Sequence, residues 1–141
     1  MSDMFISNGY KNQLNNQAFG QSEAALEDYQ IGLFTNNVTV SDTTLIGALV
    51  EASWTSYARV SLPRSALTSA ALTGNISYLG TSVVPQFTNG TGGAVATYGW
   101  FMVGVTSGLL VVAQNFATPP ASIPAGNVLT LYPFQIGLES Y

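Results

Sequence analysis

The sequence predicts an all-β sandwich, and three observations carry that reading. Short runs rich in β-branched and aromatic residues recur from residue 29 onward, clusters of Gly, Pro, Asn and Thr separate them, and several runs alternate apolar and polar residues at period two. At 141 residues the chain fits one domain and is long enough to bury a real core. The expected organisation is an extended N-terminal arm over residues 1–28 and one β-sandwich domain of about eight strands over residues 29–141.

The arm is rich in Asn and Gln and shows no sustained period. Its large apolar residues, Met4, Phe5, Ile6, Tyr10, Leu14 and Phe19, are too scattered to build a core but suit docking on a neighbouring surface, the alternative reading being a floppy terminus. Phe5, Tyr10, Leu14 and Phe19 are therefore candidate partner contacts. Ser22 is placed to cap a short helix through residue 26, with Glu23 in its first turn. Residues 29–35 read as the first body strand, followed by the turn pair Asn36-Asn37 and a short strand over 38–40. Residues 43–52 and 63–72 carry Ala and Leu at helix-like spacing, so each is expected to hold a helical turn, with Asp42 as N-cap or turn residue before the first.

Residues 54–62 alternate, with Trp54, Ser56, Ala58, Val60 and Leu62 on one face and Thr55, Tyr57, Arg59 and Ser61 on the other, as in a half-buried strand. Residues 76–79 and 81–88 read as weaker strands leading into Asn89-Gly90-Thr91-Gly92-Gly93, the strongest loop signal and an expected hairpin tip. Residues 94–105 and 109–116 are almost continuously apolar and flank Thr106-Ser107-Gly108, which predicts a hairpin at the centre of the fold. The twenty uncharged residues 94–113 have the length of a membrane span, but the internal turn and the lack of flanking Lys or Arg favour the hairpin, and no membrane partner is expected. Pro119, Pro120 and Pro124 stiffen the next connection. Residues 128–138 then form the last strand, with an apolar face of Val128, Thr130, Tyr132, Phe134, Ile136 and Leu138 and an edge or bulge at Pro133.

Charge is the compositional anomaly. Only 7% of residues are charged, against about a quarter in an ordinary soluble domain, and the deficit is filled by fourteen Ser, fourteen Thr, ten Asn and seven Gln. The absence of His and Cys removes disulfides, zinc-thiolate sites, Cys nucleophiles and His-based acid–base chemistry. Three basic residues against seven acidic ones offer no footprint for phosphates, so nucleic acid is not an expected partner. Residues 1–11 lack a basic region followed by an apolar core, which predicts synthesis in the cytoplasm without a secretory signal. The charges lie at Asp3, Lys11, Glu23, Glu27, Asp28, Asp42, Glu51, Arg59, Arg64 and Glu139, leaving residues 65–138 with none.

The remaining catalytic option is a carboxylate pair drawn from Asp42, Glu51 and Glu139, none of which lies in a recognisable carboxylate motif, so no enzymatic activity and no cofactor or metal are expected. Asn37-Val38-Thr39, Asn75-Ile76-Ser77 and Asn89-Gly90-Thr91 match the glycosylation pattern but read more simply as turns, and the Gly90 to Gly93 loop lacks the Lys and helix of a phosphate loop. Trp54, Tyr57, Tyr98, Trp100 and Tyr132 offer either a sugar-stacking platform or interface anchors, with core packing favoured for Trp54 and Trp100. Arg59 and Arg64, the only cations of the body, are expected to face solvent or pair with Glu51, Asp42 or a partner carboxylate. With Tyr57 they complete the candidate contact residues.

The segments GLFTNNVT (32–39), EASWTSYAR (51–59) and FTN (87–89) leading to TYGWF (97–101) resemble a family of small tailed-phage virion proteins. Length, arm and composition are similar to those of the head decoration, or cement, proteins of tailed phages such as a Bordetella podovirus. The resemblance implies a jelly roll that sits as a homodimer on the outer capsid surface and bridges neighbouring major capsid protein subunits against the pressure of packaged DNA. The alternative is a tail or fibre component that binds host carbohydrate through its aromatics.

Overall fold

The computed structural model describes residues 4–8, 12, 27–73, 76–131 and 135–139. Twelve strands lie among them: β1 (Met4–Ile6), β2 (Tyr29–Phe34), β3 (Val60–Leu62), β4 (Leu67–Thr73), β5 (Ile76–Thr81), β6 (Gln86–Thr88), β7 (Val95–Thr97), β8 (Gly99–Gly104), β9 (Leu110–Asn115), β10 (Ala121–Ile123), β11 (Val128–Thr130) and β12 (Gln135–Glu139). The fold is all-β, as the sequence predicts. Every pairing is antiparallel: a five-stranded sheet in the order β1-β9-β8-β2-β3, a three-stranded sheet β12-β5-β4, and the two-stranded ladders β7/β10 and β6/β11.

The uncharged run folds as the expected hairpin, β8 and β9, with β8 at the middle of the five-stranded sheet and all six of its residues buried. Its period-two pattern sends alternate side chains into two cores. Ile31 and Leu33 of β2, Trp100 and Met102 of β8 and Val112 of β9 join Phe87, Ile123 and Leu131 in one cluster, so the two short ladders cover this face. Phe34, Phe101, Val103, Leu110 and Ala113 join Val40 and Leu49 on the other. A register shift between Met102 and Val103 lets consecutive residues Val111 and Val112 both enter the first cluster. On the second face each of two strand glycines lies opposite a phenylalanine, Gly32 against Phe101 and Gly99 against Phe34, and the rings occupy the space that a Cβ would take. No helix among the described residues is long and apolar enough to cross a membrane.

The second face is covered by a connection without strand pairing, which corrects the expected strand over 38–40. The Asn115 amide replaces a neighbouring strand there: Val40 N–H donates to its Oδ1 at 2.9 Å, and its Nδ2 donates to the Val38 carbonyl at 2.7 Å. Asn36 acts similarly, donating to the Ala48 carbonyl at 2.9 Å and accepting from Val50 N–H at 2.8 Å, which closes the connection around the 3-10 turn Ile46–Ala48. That turn lies within the helical stretch expected over 43–52. Asp42 sits in the preceding turn and not at the cap, which is Leu45.

Three further expectations are corrected. Only Val60–Leu62 of residues 54–62 is strand: Tyr57 N–H donates to the Trp54 carbonyl at 3.0 Å and Ser56 takes a φ of 70°, so a turn replaces the alternation. Residues 63–72 hold the 3-10 turn Arg64–Ala66 but continue as β4. The last strand is divided, β11 pairing with β6 and β12 with β5; Leu129 packs on the core while Val128 is exposed, the reverse of the expected facing. Tyr132, Pro133 and Phe134 lie outside the described residues, as do Asn75 and the expected helix after Ser22.

The arm also differs from expectation. Part of it belongs to the chain's own sheet, because β1 is the edge strand beside β9. At the other end of the arm Glu27, 7% exposed, accepts hydrogen bonds from the N–H groups of Thr106 and Ser107, each at 2.8 Å, and from the Ser107 hydroxyl at 2.7 Å. These bonds satisfy the turn of the β8/β9 hairpin and fix the entry of β2.

Candidate functional site

Where β3 ends, the edge of β2 is continued by a short stretch around Glu51. Thr35 N–H donates to the Val50 carbonyl at 2.8 Å, Ala52 N–H donates to the Leu33 carbonyl at 2.9 Å, and Glu51 bridges Phe34. This fixes the Glu51 backbone beside a buried strand while its side chain reaches the surface. The turn at Trp54 to Tyr57 brings Tyr57 and Arg59 back to the same carboxylate.

Arg59 grips Glu51 bidentately, Nε to Oε1 at 2.8 Å and Nη2 to Oε2 at 2.7 Å, in the planar fork geometry that favours Arg over Lys. Its Nη1 also donates to Gln30 Oε1 at 3.4 Å, and the guanidinium lies 5.5 Å from the Phe101 ring centroid. The Tyr57 hydroxyl accepts from Leu33 N–H and donates to Glu51 Oε1, both at 3.0 Å. Gly32 makes this approach possible, since a Cβ there would lie 2.8 Å from the Tyr57 oxygen. Tyr57 also packs edge-on against Trp54 at 5.2 Å and stacked against Phe87 at 5.9 Å. Trp54 donates its indole N–H to the Thr88 carbonyl at 3.0 Å.

These bonds hold the charged pair in shape, with the Arg59 and Glu51 side chains 34% and 31% exposed. The hydrogen bond from Arg59 holds the Glu51 carboxyl below its ordinary value against the opposing effect of burial, with Tyr57 assisting. Burial is the main cause that raises the Tyr57 phenol. Both carboxylate oxygens are occupied, so the arrangement presents a rigid polar patch on an aromatic base.

Two predictions arise here. Because the folded Glu51 carboxyl titrates below the unfolded one, its contribution is complete above the ordinary carboxylate range and lost as pH falls through the folded value. Glu51→Gln is therefore expected to flatten the acid limb of stability against pH by up to one proton's linkage, measured by denaturant melts across the acid range. Tyr57→Phe strands the N–H of fully buried Leu33 and is expected to cost about 1–3 kcal/mol, seen as a Tm lowered by several degrees.

Of the expected contact residues, the structure brings Tyr57 and Arg59 together. Arg64 lies apart, exposed at its 3-10 turn, with its backbone N–H donating to Asp28 Oδ1 at 2.8 Å. Phe5 is in β1, opposite Ala113, and Tyr10, Leu14 and Phe19 lie outside the described residues. Trp100 is core, 5% exposed, as expected, and half-buried Trp54 packs against the same cluster. Among the described residues no cluster of acidic side chains could hold a metal ion.

Sequence reasoning missed Asn89. This residue is completely buried and is the hub of a connection between two ladders, not a hairpin tip. Its Nδ2 donates to the carbonyls of Gly93 and Ile123 at 2.9 and 2.8 Å, and its Oδ1 accepts from the N–H and hydroxyl of Thr91 at 2.9 and 2.6 Å. An amide so enclosed is inaccessible as a glycosylation acceptor. No family model, no curated protein and no solved structure matches the chain.

Proposed function

We propose that the protein is a structural component of a phage virion, a homodimer that decorates the outer capsid surface and bridges neighbouring major capsid protein subunits, with a jelly-roll relationship among its sheets. The observation that carries this reading is a charge-free half of the chain folded into a body with paired apolar projections. Residues 65–138 bear no charge, and Leu45 and Val50 flank one turn while Val105 and Leu109 flank another, 71%, 57%, 53% and 39% exposed. Such a surface has little like-charge repulsion against close packing, and its apolar side chains gain by being covered. The preformed Arg59–Glu51 pair adds a directional contact, of the kind that fixes register at an interface. Repetition over a capsid lattice multiplies weak contacts by avidity.

Purified capsids lacking the protein provide the test. Saturable co-sedimentation with those capsids, together with no binding on a glycan array, is the expected result. Binding to glycans without binding to capsids would replace this reading with a tail or fibre component.

A further inference from the structure

We propose that β1 is exchanged between two copies of the chain, so that Met4–Ile6 of one molecule forms the edge strand beside Leu110–Asn115 of the other and receives the same strand in return. The inference rests on the homodimer proposed above and specifies how it is built.

The segment at residues 4–8 carries a complete set of edge contacts despite its shortness. Met4, Phe5 and Ile6 register against Gln114, Ala113 and Val112. Ser7 N–H donates to the Val111 carbonyl at 3.0 Å, its hydroxyl donates to the Leu110 carbonyl, and Asn8 N–H donates to the Asp42 carbonyl at 2.9 Å. Each of these partners belongs to the body, and an identical set exists on any second copy. Exchange therefore conserves every contact, the condition under which strand swapping is a low-cost route to a dimer.

Chain length supplies the second half of the argument. The Glu27 carboxylate anchors the far end of the arm on Thr106 and Ser107, and the Asp28 carbonyl accepts from Val105 N–H at 2.9 Å. In the sheet β1 and β2 are separated by β9 and β8, three strand spacings or roughly 14 Å. Residues 9–26 lie between the two anchors, and eighteen residues reach up to about 60 Å when extended. That length exceeds the intramolecular crossing several-fold. A donated β1 covers the β9 edge of the partner, which would otherwise present an open ladder for uncontrolled pairing.

Disulfide trapping tests the proposal cleanly because the native chain has no cysteine. Ser7 and Val111 form a hydrogen-bonded pair, so by alternation Met4 and Gln114 form a non-hydrogen-bonded one, whose usual Cα separation of about 4.5 Å admits a disulfide. Full-length Met4→Cys and Gln114→Cys chains, distinguishable by a tag, are co-expressed and oxidised, beside the double variant. Exchange predicts a disulfide-linked heterodimer from the two single variants and a covalent dimer from the double one. An internally linked chain from the double variant with no linked heterodimer overturns the exchange, and so does the absence of a disulfide in both samples. Light scattering on the unmodified protein separates the two levels: a dimer whose double variant is internally linked retains the homodimer without exchange, whereas a monomer removes both. Capsid co-sedimentation of the same protein reports independently on decoration.

Discussion

Asn89→Ala is expected to destabilise the fold by about 3 kcal/mol, with a Tm lowered by roughly 10 °C. The substitution removes four hydrogen bonds at a residue with no exposed surface. The Ile123 carbonyl is buried and has no water to replace the lost donor, so it carries the largest part of the cost, on the order of 1–3 kcal/mol. The Thr91 and Gly93 groups are partly accessible and regain water, so each adds less. Backbone bonds spread the damage: Asn89 N–H donates to the Asn127 carbonyl and its own carbonyl accepts from Gly126 N–H, so loosening this residue loosens the start of β11 as well. Asn89→Asp is a sharper variant. It keeps an acceptor for Thr91 but turns an oxygen toward two carbonyls that need a donor. Its folded carboxyl is then raised above the unfolded value, so the folded state binds more protons and stability rises as pH falls, opposite to the trend from Glu51. Denaturant melts of both variants at neutral and acidic pH check the magnitude and the sign.

Gly99→Ala is expected to cost at least about 3 kcal/mol, or to prevent folding. A Cβ at this position would overlap the backbone carbonyl oxygen of Gln114 and sit 2.5 and 2.6 Å from two atoms of the Phe34 ring. Neither neighbour can yield: the carbonyl belongs to the β8/β9 ladder, and Phe34 is completely buried in the second core. Gly47→Ala is the matched control, because a Cβ there meets nothing within 4 Å, and it is expected to lie within about 0.5 kcal/mol of the native protein. Soluble yield and thermal melts of the two variants give the comparison; equal stability would remove close Phe–Gly packing from the account.

The contrast between these positions explains what the sequence could reveal. The β8/β9 hairpin was legible because its signal is local, two apolar runs about a turn, and burial from both faces reinforces it. Residues 54–62 satisfy the same period-two rule yet turn at Ser56, and the turn carries the Tyr57 hydroxyl to Leu33 and Glu51, partners that the local pattern does not reveal. The stretch at 38–40 has strand composition, but an Asn amide from residue 115 completes its backbone, and a partner that far along the chain leaves no local trace. Asn89 is the extreme case: Asn-Gly reads as an exposed turn, and only tertiary structure encloses it. At the candidate site, the residue types Tyr57 and Arg59 were readable as contacts, and Glu51 as the partner of Arg59, but their union depends on the unforeseen turn between them. The edge position of β1 was hidden for a similar reason, since three residues carry too little pattern to announce a strand.

Low charge links these details to the proposed role. A body with no charged residue across 65–138 is well suited to lie against other protein, and the arm anchored at Glu27 and ending in β1 suits the joining of copies. The most direct measurement is an image reconstruction of the purified particle in which this protein is located. Paired density on the outer shell, spanning adjacent major capsid protein subunits, is the predicted result; density confined to the tail, or a particle that contains none of the protein, would contradict it.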